Sequence, residues 1–265
     1  MKFSKSAALA ALAALTLATS VALAGCGGGA NDTFSAGGAT VVGVPEGAWA
    51  GTFDKGSNSA FEALVQGDGS TWIAYGNFTG DVFAVSGFLQ GTGSGTNGAF
   101  TSPAMRNYGA GGIGIRTGLA ATYVPGSRFD GTVDNFIGTV NFSGAPAAAF
   151  NYNTPAIVLS IAGTWSMRGL DGTATTMSIG GDGVLTGSAG ACAITGTVVP
   201  SADGKNLFDV TTNLGAGCSP ANMSGRGIAV WHRNQDTARE QLIIAAVSSD
   251  RSTGMGLVGN RFGDR

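Results

Sequence analysis

Leu159-Ser160-Ile161-Ala162-Gly163-Thr164-Trp165-Ser166-Met167 is the stretch that decides the fold class. Its odd positions are apolar apart from Gly163, and its even positions are small or polar. That is a period of two, the mark of a strand with one buried face. Moving outwards, the same period returns. Cys192, Ile194 and Val198 share one face, and Phe208, Val210 and Leu214 share another. Ile228 with Val230, Met255 with Leu257, and Trp49 with Phe53 continue it. Leu242-Ile243-Ile244-Ala245-Ala246-Val247 departs from the pattern. It is apolar on both faces and predicts a strand buried on both sides. Residues 61–65 fit either a strand or one turn of helix. Gly67-Asp68-Gly69, Asp171-Gly172, Gly181-Asp182-Gly183 and Ala202-Asp203-Gly204 punctuate the strands as turns.

Composition agrees. The chain holds 46 Gly among 265 residues and only 11% charged residues, against a usual glycine share of about 7%. Together with abundant Thr, Ser, Val and Phe, this describes an all-β protein with many tight turns. We expect antiparallel barrels or sandwiches. No Lys/Arg run is present, and once Lys2 and Lys5 are set aside the 14 Lys+Arg become 12 against 16 Asp+Glu. That mildly acidic balance argues against a nucleic-acid partner.

The strands also echo one another. Gly47-Ala48-Trp49 and Gly67-Asp68-Gly69 match Gly163-Thr164-Trp165 and Gly181-Asp182-Gly183. Val85-Ser86-Gly87-Phe88 matches Ile194-Thr195-Gly196-Thr197. The expectation is two tandem β units, residues 41–155 and 156–265, with Pro155 at the seam. One continuous barrel or sandwich is the alternative.

The N-terminus reads differently. Two lysines within Met1-Lys2-Phe3-Ser4-Lys5 precede an uncharged Ala/Leu/Val stretch over 7–24, which ends in Leu23-Ala24-Gly25-Cys26. That order is a secretory signal, and the tetrad resembles the lipobox of bacterial lipoprotein precursors at each position. The resemblance implies a signal peptide over 1–25, cleavage before Cys26 and lipidation of the Cys26 thiol. Two or three acyl chains hold a protein to a bilayer far more firmly than one, at about 0.8 kcal/mol per buried methylene. An uncleaved transmembrane helix would leave the tetrad unexplained. Gly27, rather than Asp, follows the cysteine, which in the family's sorting pattern implies a cell-envelope address at the outer membrane. Residues 26–40, rich in Gly, Ala, Ser and Asn, cannot bury a core and are expected to be a flexible lipidated tether.

With Cys26 lipidated, Cys192 and Cys218 remain. In an oxidising envelope they are expected to form a disulfide, worth roughly 3–4 kcal/mol in the chain-entropy model. Two separate buried thiols are the alternative.

A Gly-X-Trp on the first strand of each half, at Trp49 and Trp165, is similar to the pattern of calycins, the lipocalin-like and avidin-like barrels. In that group a late arginine lies over the tryptophan and closes the barrel floor. The resemblance implies such a pair here between Trp165 and Arg261, which has the same parity as Met255 and Leu257. The first half has no equally placed arginine, and both tryptophans would serve equally as plain core residues.

Chemistry is sparse. His232, in Ala229-Val230-Trp231-His232-Arg233, is the sole histidine and reads as a surface residue at a strand end. With Cys192 and Cys218 paired, it cannot complete the three or four ligands of a zinc site. Asp68, Asp182, Asp130 and Asp134 read as turn aspartates, without the opposed pair that acid–base catalysis needs. Gly109-Ala110-Gly111-Gly112-Ile113-Gly114 lacks the lysine and following helix of a phosphate loop. We therefore expect no catalytic residues, no metal and no cofactor. The reading is a non-enzymatic binding or interaction module, attached to the membrane through Cys26, for a protein or a small apolar ligand. A structural envelope component without a ligand is the alternative.

Overall fold

The computed structural model describes residues 43–135, 138–234 and 237–262. Residues 1–25, read as a signal peptide, and residues 26–40, read as a tether beginning at Cys26, lie outside the described residues. From Gly47 onwards the chain is strand after strand. The first group is β1 (Gly47–Phe53), β2 (Ala60–Val65), β3 (Ser70–Thr79), β4 (Val82–Thr92), β5 (Ser94–Thr96), β6 (Ala99–Tyr108), β7 (Ile115–Val124), β8 (Arg128–Asn135) and β9 (Gly138–Pro146). All pairs are antiparallel. β1 pairs with both β2 and β9, and β4 pairs with β6, so eight of the nine strands close a barrel and short β5 hangs on β6. After one helical turn, α1 (Val158–Ile161), come β10 (Gly163–Gly169), β11 (Ala174–Ile179), β12 (Val184–Ala189), β13 (Cys192–Pro200), β14 (Phe208–Leu214), β15 (Ser224–Arg233), β16 (Arg239–Ser248) and β17 (Gly254–Phe262). These eight close a second barrel, β17 returning to β10. The protein is all-β with two tandem eight-stranded antiparallel barrels, a body that fits the calycin-like pattern.

The period-two faces become barrel interiors, and both interiors are filled. The first holds Trp49, Phe61, Phe100, Met105, Phe129 and Phe142, with aromatic contacts such as Trp49–Phe129 at 5.5 Å and Phe61–Phe142 edge-on at 5.5 Å. Each such contact adds about 0.5–1.5 kcal/mol beyond area burial. The second holds Trp165, Met177, Leu185, Phe208 and Ile244.

The repeat is visible in backbone detail. In both Gly-Asp-Gly turns the last glycine has a left-handed φ, +83° at Gly69 and +82° at Gly183. In both the aspartate accepts from the amide two residues on, Asp68 from Ser70 at 2.8 Å and Asp182 from Val184 at 3.1 Å. The indole N–H of each first-strand tryptophan donates to the carbonyl four residues earlier, Trp49 to Pro45 and Trp165 to Ile161, both at 2.8 Å. One sequence match shifts, however. Thr71 pairs with Gly91, and its equivalent Leu185 pairs with Gly196. Gly91 rather than Gly87 is thus the counterpart of Gly196. The β3–β4 hairpin is longer than β12–β13, and the additional length pushes Gly87 out of register.

Two further expectations change. Residues 158–161 form α1 rather than the start of a strand. In a strand Leu159 and Ile161 would share a face. The helical turn separates them, so Ile161 plugs the second barrel at 0% exposure while Leu159 stands 72% exposed. On β15 the inner face carries Ala229, and the larger Ile228 and Val230 pack outwards. The reason is that the barrels share a third core. Leu64, Trp72, Phe88 and Tyr108 of the first meet Ile228, Ala245 and Val247 of the second. This also explains the doubly apolar run at 242–247. Leu242, Ile244 and Ala246 face inwards, while Ala245 and Val247 are buried against the other barrel.

Candidate functional site

Two convex barrels touch along a line and leave wedges beside it. One wedge here is a cavity of about 690 Å³, within the ~300–1,000 Å³ range of small-molecule sites. Its first wall is the outer face of β1–β3, where Ala48, Ala50, Leu64, Trp72 and Ala74 alternate with the inward residues. Its second wall is the outer face of β15–β17, with Ile228, Val230, Ile243, Ala245 and Val258. The segment 147–150, Ala-Ala-Ala-Phe, lines another side. Small residues on facing convex surfaces keep the wedge open.

The tip of the long β3–β4 hairpin supplies the remaining wall, through Phe78, Gly80, Asp81 and Val85. Register shifts between Tyr75 and Gly76, a bulge of the kind that bends a strand pair. Beyond it the hairpin contacts the second barrel. Thr237 Oγ1 donates to Asp81 at 2.7 Å, Arg239 pairs with Asp81 at 3.5 Å, and Gln241 Nε2 donates to the Phe83 carbonyl at 3.0 Å.

Four ionisable groups line this space, and with Asp81 paired to Arg239 and Arg233 to Glu240 the two that remain are Glu62 and His232. Glu62 lies on the outer face of β2, and its cross-strand neighbours are Ala50 and Ala74. Among the described residues no donor or cation reaches its carboxyl, and burial alone pushes its pKa up to about 7. His232 lies on the outer face of β15. Burial alone pushes its pKa down, so its ring is neutral at pH 7. The sequence reading put His232 on the open surface. It is instead half-buried in the cleft, because the outer face of β15 turns towards the first barrel. Glu62 was not singled out, although one signal was available. With Phe61, Ala63 and Val65 inward, a lone acid is left on the other face of an otherwise apolar strand.

The other sequence-derived residues lie elsewhere. Arg261 sits over the Trp165 ring, its guanidinium carbon 4.0 Å from the centroid. It donates to the carbonyls of Ala162 at 2.8 Å and Ser160 at 2.7 Å, and to Glu240 at 2.6 Å. Carbonyls at the end of α1, which have no partner within the helix, are thereby satisfied. This arrangement closes one end of the second barrel. Cys192 and Cys218 form a disulfide at the opposite end. They line a hollow of about 170 Å³ that also touches the 109–112 loop, below the ~300 Å³ from which small-molecule sites start. Asp68, Asp171 and Asp182 accept from turn amides, and Asp130 accepts from Ser143 and Gly144. Among the described residues no three His, Cys, Asp or Glu side chains gather as a metal set.

No protein-family model and no curated protein matches the chain. Among solved structures, the chain is similar to a protein of unknown function from the DUF3598 family of Nostoc punctiforme, at 13% identity and a TM-score of 0.26, over 82% of this chain and 94% of that one.

Proposed function

We propose that this chain is an envelope lipoprotein, anchored through Cys26, whose β body binds a small apolar ligand in the cleft between its two barrels. The observation that carries the reading is the contrast between the 690 Å³ apolar cleft and the two filled barrel interiors. Lipocalin-like barrels hold ligands inside. Here the inside is occupied by side chains, and the 690 Å³ apolar space lies between the units. The lipobox supports the anchor.

The binding test is a neutral fluorophore, N-phenyl-1-naphthylamine, titrated against the whole chain. Saturable enhancement, lost in Ala74→Trp, supports the cleft. Ala74 points into the cavity, so an indole there fills it without touching a barrel core. Failure of the wild-type protein to bind overturns the reading in favour of a structural role without a ligand. For the anchor, palmitate should label the wild type and not Cys26→Ser. Absent labelling, with Cys26→Ser fractionating like wild type, removes the lipoprotein reading.

A further inference from the structure

We propose that the ligand of this cleft is an apolar amine, a hydrocarbon or aryl body with one basic nitrogen that is received by Glu62, with His232 on the facing barrel as a second acceptor. The inference rests on the cleft being a binding site and adds the polarity of what it binds.

The argument starts from what the protein leaves unsatisfied. A carboxyl enclosed by apolar side chains is costly unless something pairs with it. Glu62 has alanines on both neighbouring strands, and no donor among the described residues reaches it. It is not a packing defect in a core, since it borders a cavity large enough for a ligand. His232 is likewise without a partner among the described residues. A neutral imidazole offers one acceptor nitrogen. Glu62 in its ionised form and one ring nitrogen of His232 therefore offer acceptors to the cleft from opposite walls.

Charge complementarity excludes the other polar classes. A carboxylate or phosphate ligand would sit beside Glu62 and repel it. Of the arginines nearby, Arg239 is paired with Asp81, and Arg233 lines the cleft on the second barrel, beside Glu240 and on the wall that faces Glu62 rather than next to it. A pure hydrocarbon would seal Glu62 in without a partner. An ammonium group forms a neutral pair with the carboxylate and brings N–H donors. The aromatic faces of Trp72 and Phe88 on the first barrel's wall suit the body of such a molecule, and ring faces also attract cations.

The test uses a matched series, 4-phenylbutylamine, 4-phenylbutanol and 4-phenylbutyrate, titrated calorimetrically into the whole chain at neutral pH. The amine should bind at least tenfold tighter than the alcohol, and the acid weakest. Glu62→Gln keeps the shape of the side chain and removes the charge. It should collapse the preference for amine over alcohol to within a factor of about three. Equal binding of amine and alcohol by the wild type, or tightest binding of the acid, overturns the amine assignment. The neutral fluorophore separates the two levels. If it still binds while the amine has no advantage, only this inference falls. If neither it nor any of the three binds, the cleft reading falls too.

Discussion

Glu62 and His232 face one cleft but bend the stability profile in opposite directions. Burial raises the Glu62 pKa from 4.5 to about 7. Between those values the folded chain holds a proton that the unfolded chain has released. Stability therefore falls as pH rises through this window, by on the order of 2–3 kcal/mol once the partial exposure of the side chain is allowed for. Burial lowers the His232 pKa below 6.5. There the unfolded chain binds the extra proton, so the penalty grows as pH falls below that value. We expect Glu62→Gln to be more stable than wild type at pH 8.5 and no different at pH 4, read by thermal unfolding across pH. Parallel profiles for the two proteins would show that Glu62 is not enclosed. Arg261 is the opposite case, a charge whose partners are complete. Removing it strands Glu240, which is 5% exposed and whose other ion-pair partner among the described residues is Arg233 at 3.9 Å. It also frees two carbonyls at the end of α1. Arg261→Ala should cost about 3–5 kcal/mol in urea unfolding. Arg261→Lys should recover less than half, since an ammonium cannot span three acceptors and the ring together.

At the scale of elements, the strands were legible because each has one face inside a barrel, and a single buried face writes a period of two. What a strand does with its outer face is weakly written. Only 242–247 declared a second buried face, because both of its sides are apolar. Ile228 and Val230 looked like an inner face, because nothing local distinguishes a neighbouring barrel from a barrel's own core. Leu159 and Ile161 carried strand parity into a helical turn, where the chain has to cross the barrel floor rather than extend. The disulfide and the Trp165–Arg261 pairing were within reach, since they depend on residue types that have few other partners. The cleft was not. It arises from the β3–β4 hairpin outgrowing its counterpart and from alanines whose only message is small size. That hairpin gives a distinct expectation. Asp81→Ala removes the contacts to Thr237 and Arg239. These are surface interactions worth roughly 1 kcal/mol or less, so the unfolding midpoint should barely move. The cleft wall loosens nonetheless, and fluorophore dissociation should quicken by about threefold or more in stopped-flow, on the order of 0.7 kcal/mol. An unchanged dissociation rate would mean that the hairpin does not gate the cleft.

At the scale of the molecule, the question is whether two barrels behave as one body. Their shared core contains Trp72, Phe88, Tyr108, Ile228 and Val247. Beside it runs a backbone seam. Gly254 N–H donates to Gly112 at 2.7 Å, Gly114 N–H donates to Ser252 at 2.8 Å, and Ile113 bridges to Thr253. Arg251 Nη2 donates to the carbonyls of Gln90 and Ala104, and the Tyr108 hydroxyl donates to the Arg251 carbonyl. The glycine-rich loop therefore needs its glycines to let one backbone lie against another. A Cβ on Gly114 would stand 2.4 Å from the Arg251 carbonyl oxygen and 2.9 Å from the Tyr108 ring. One neighbour is backbone and the other is a fully buried ring, so neither yields cheaply. With the seam intact, neither barrel can unfold without exposing the shared core of the other, so wild type should unfold in one calorimetric transition with equal van't Hoff and calorimetric enthalpies. Gly114→Val should force the seam apart while leaving both barrel interiors filled. The expected result is two separated transitions, loss of fluorophore binding, and amide exchange in β6 and β16 that no longer follows a common opening. A single transition in Gly114→Val, shifted only in midpoint, would show that the shared core alone makes the barrels one unit and that the glycine seam serves only to tighten it.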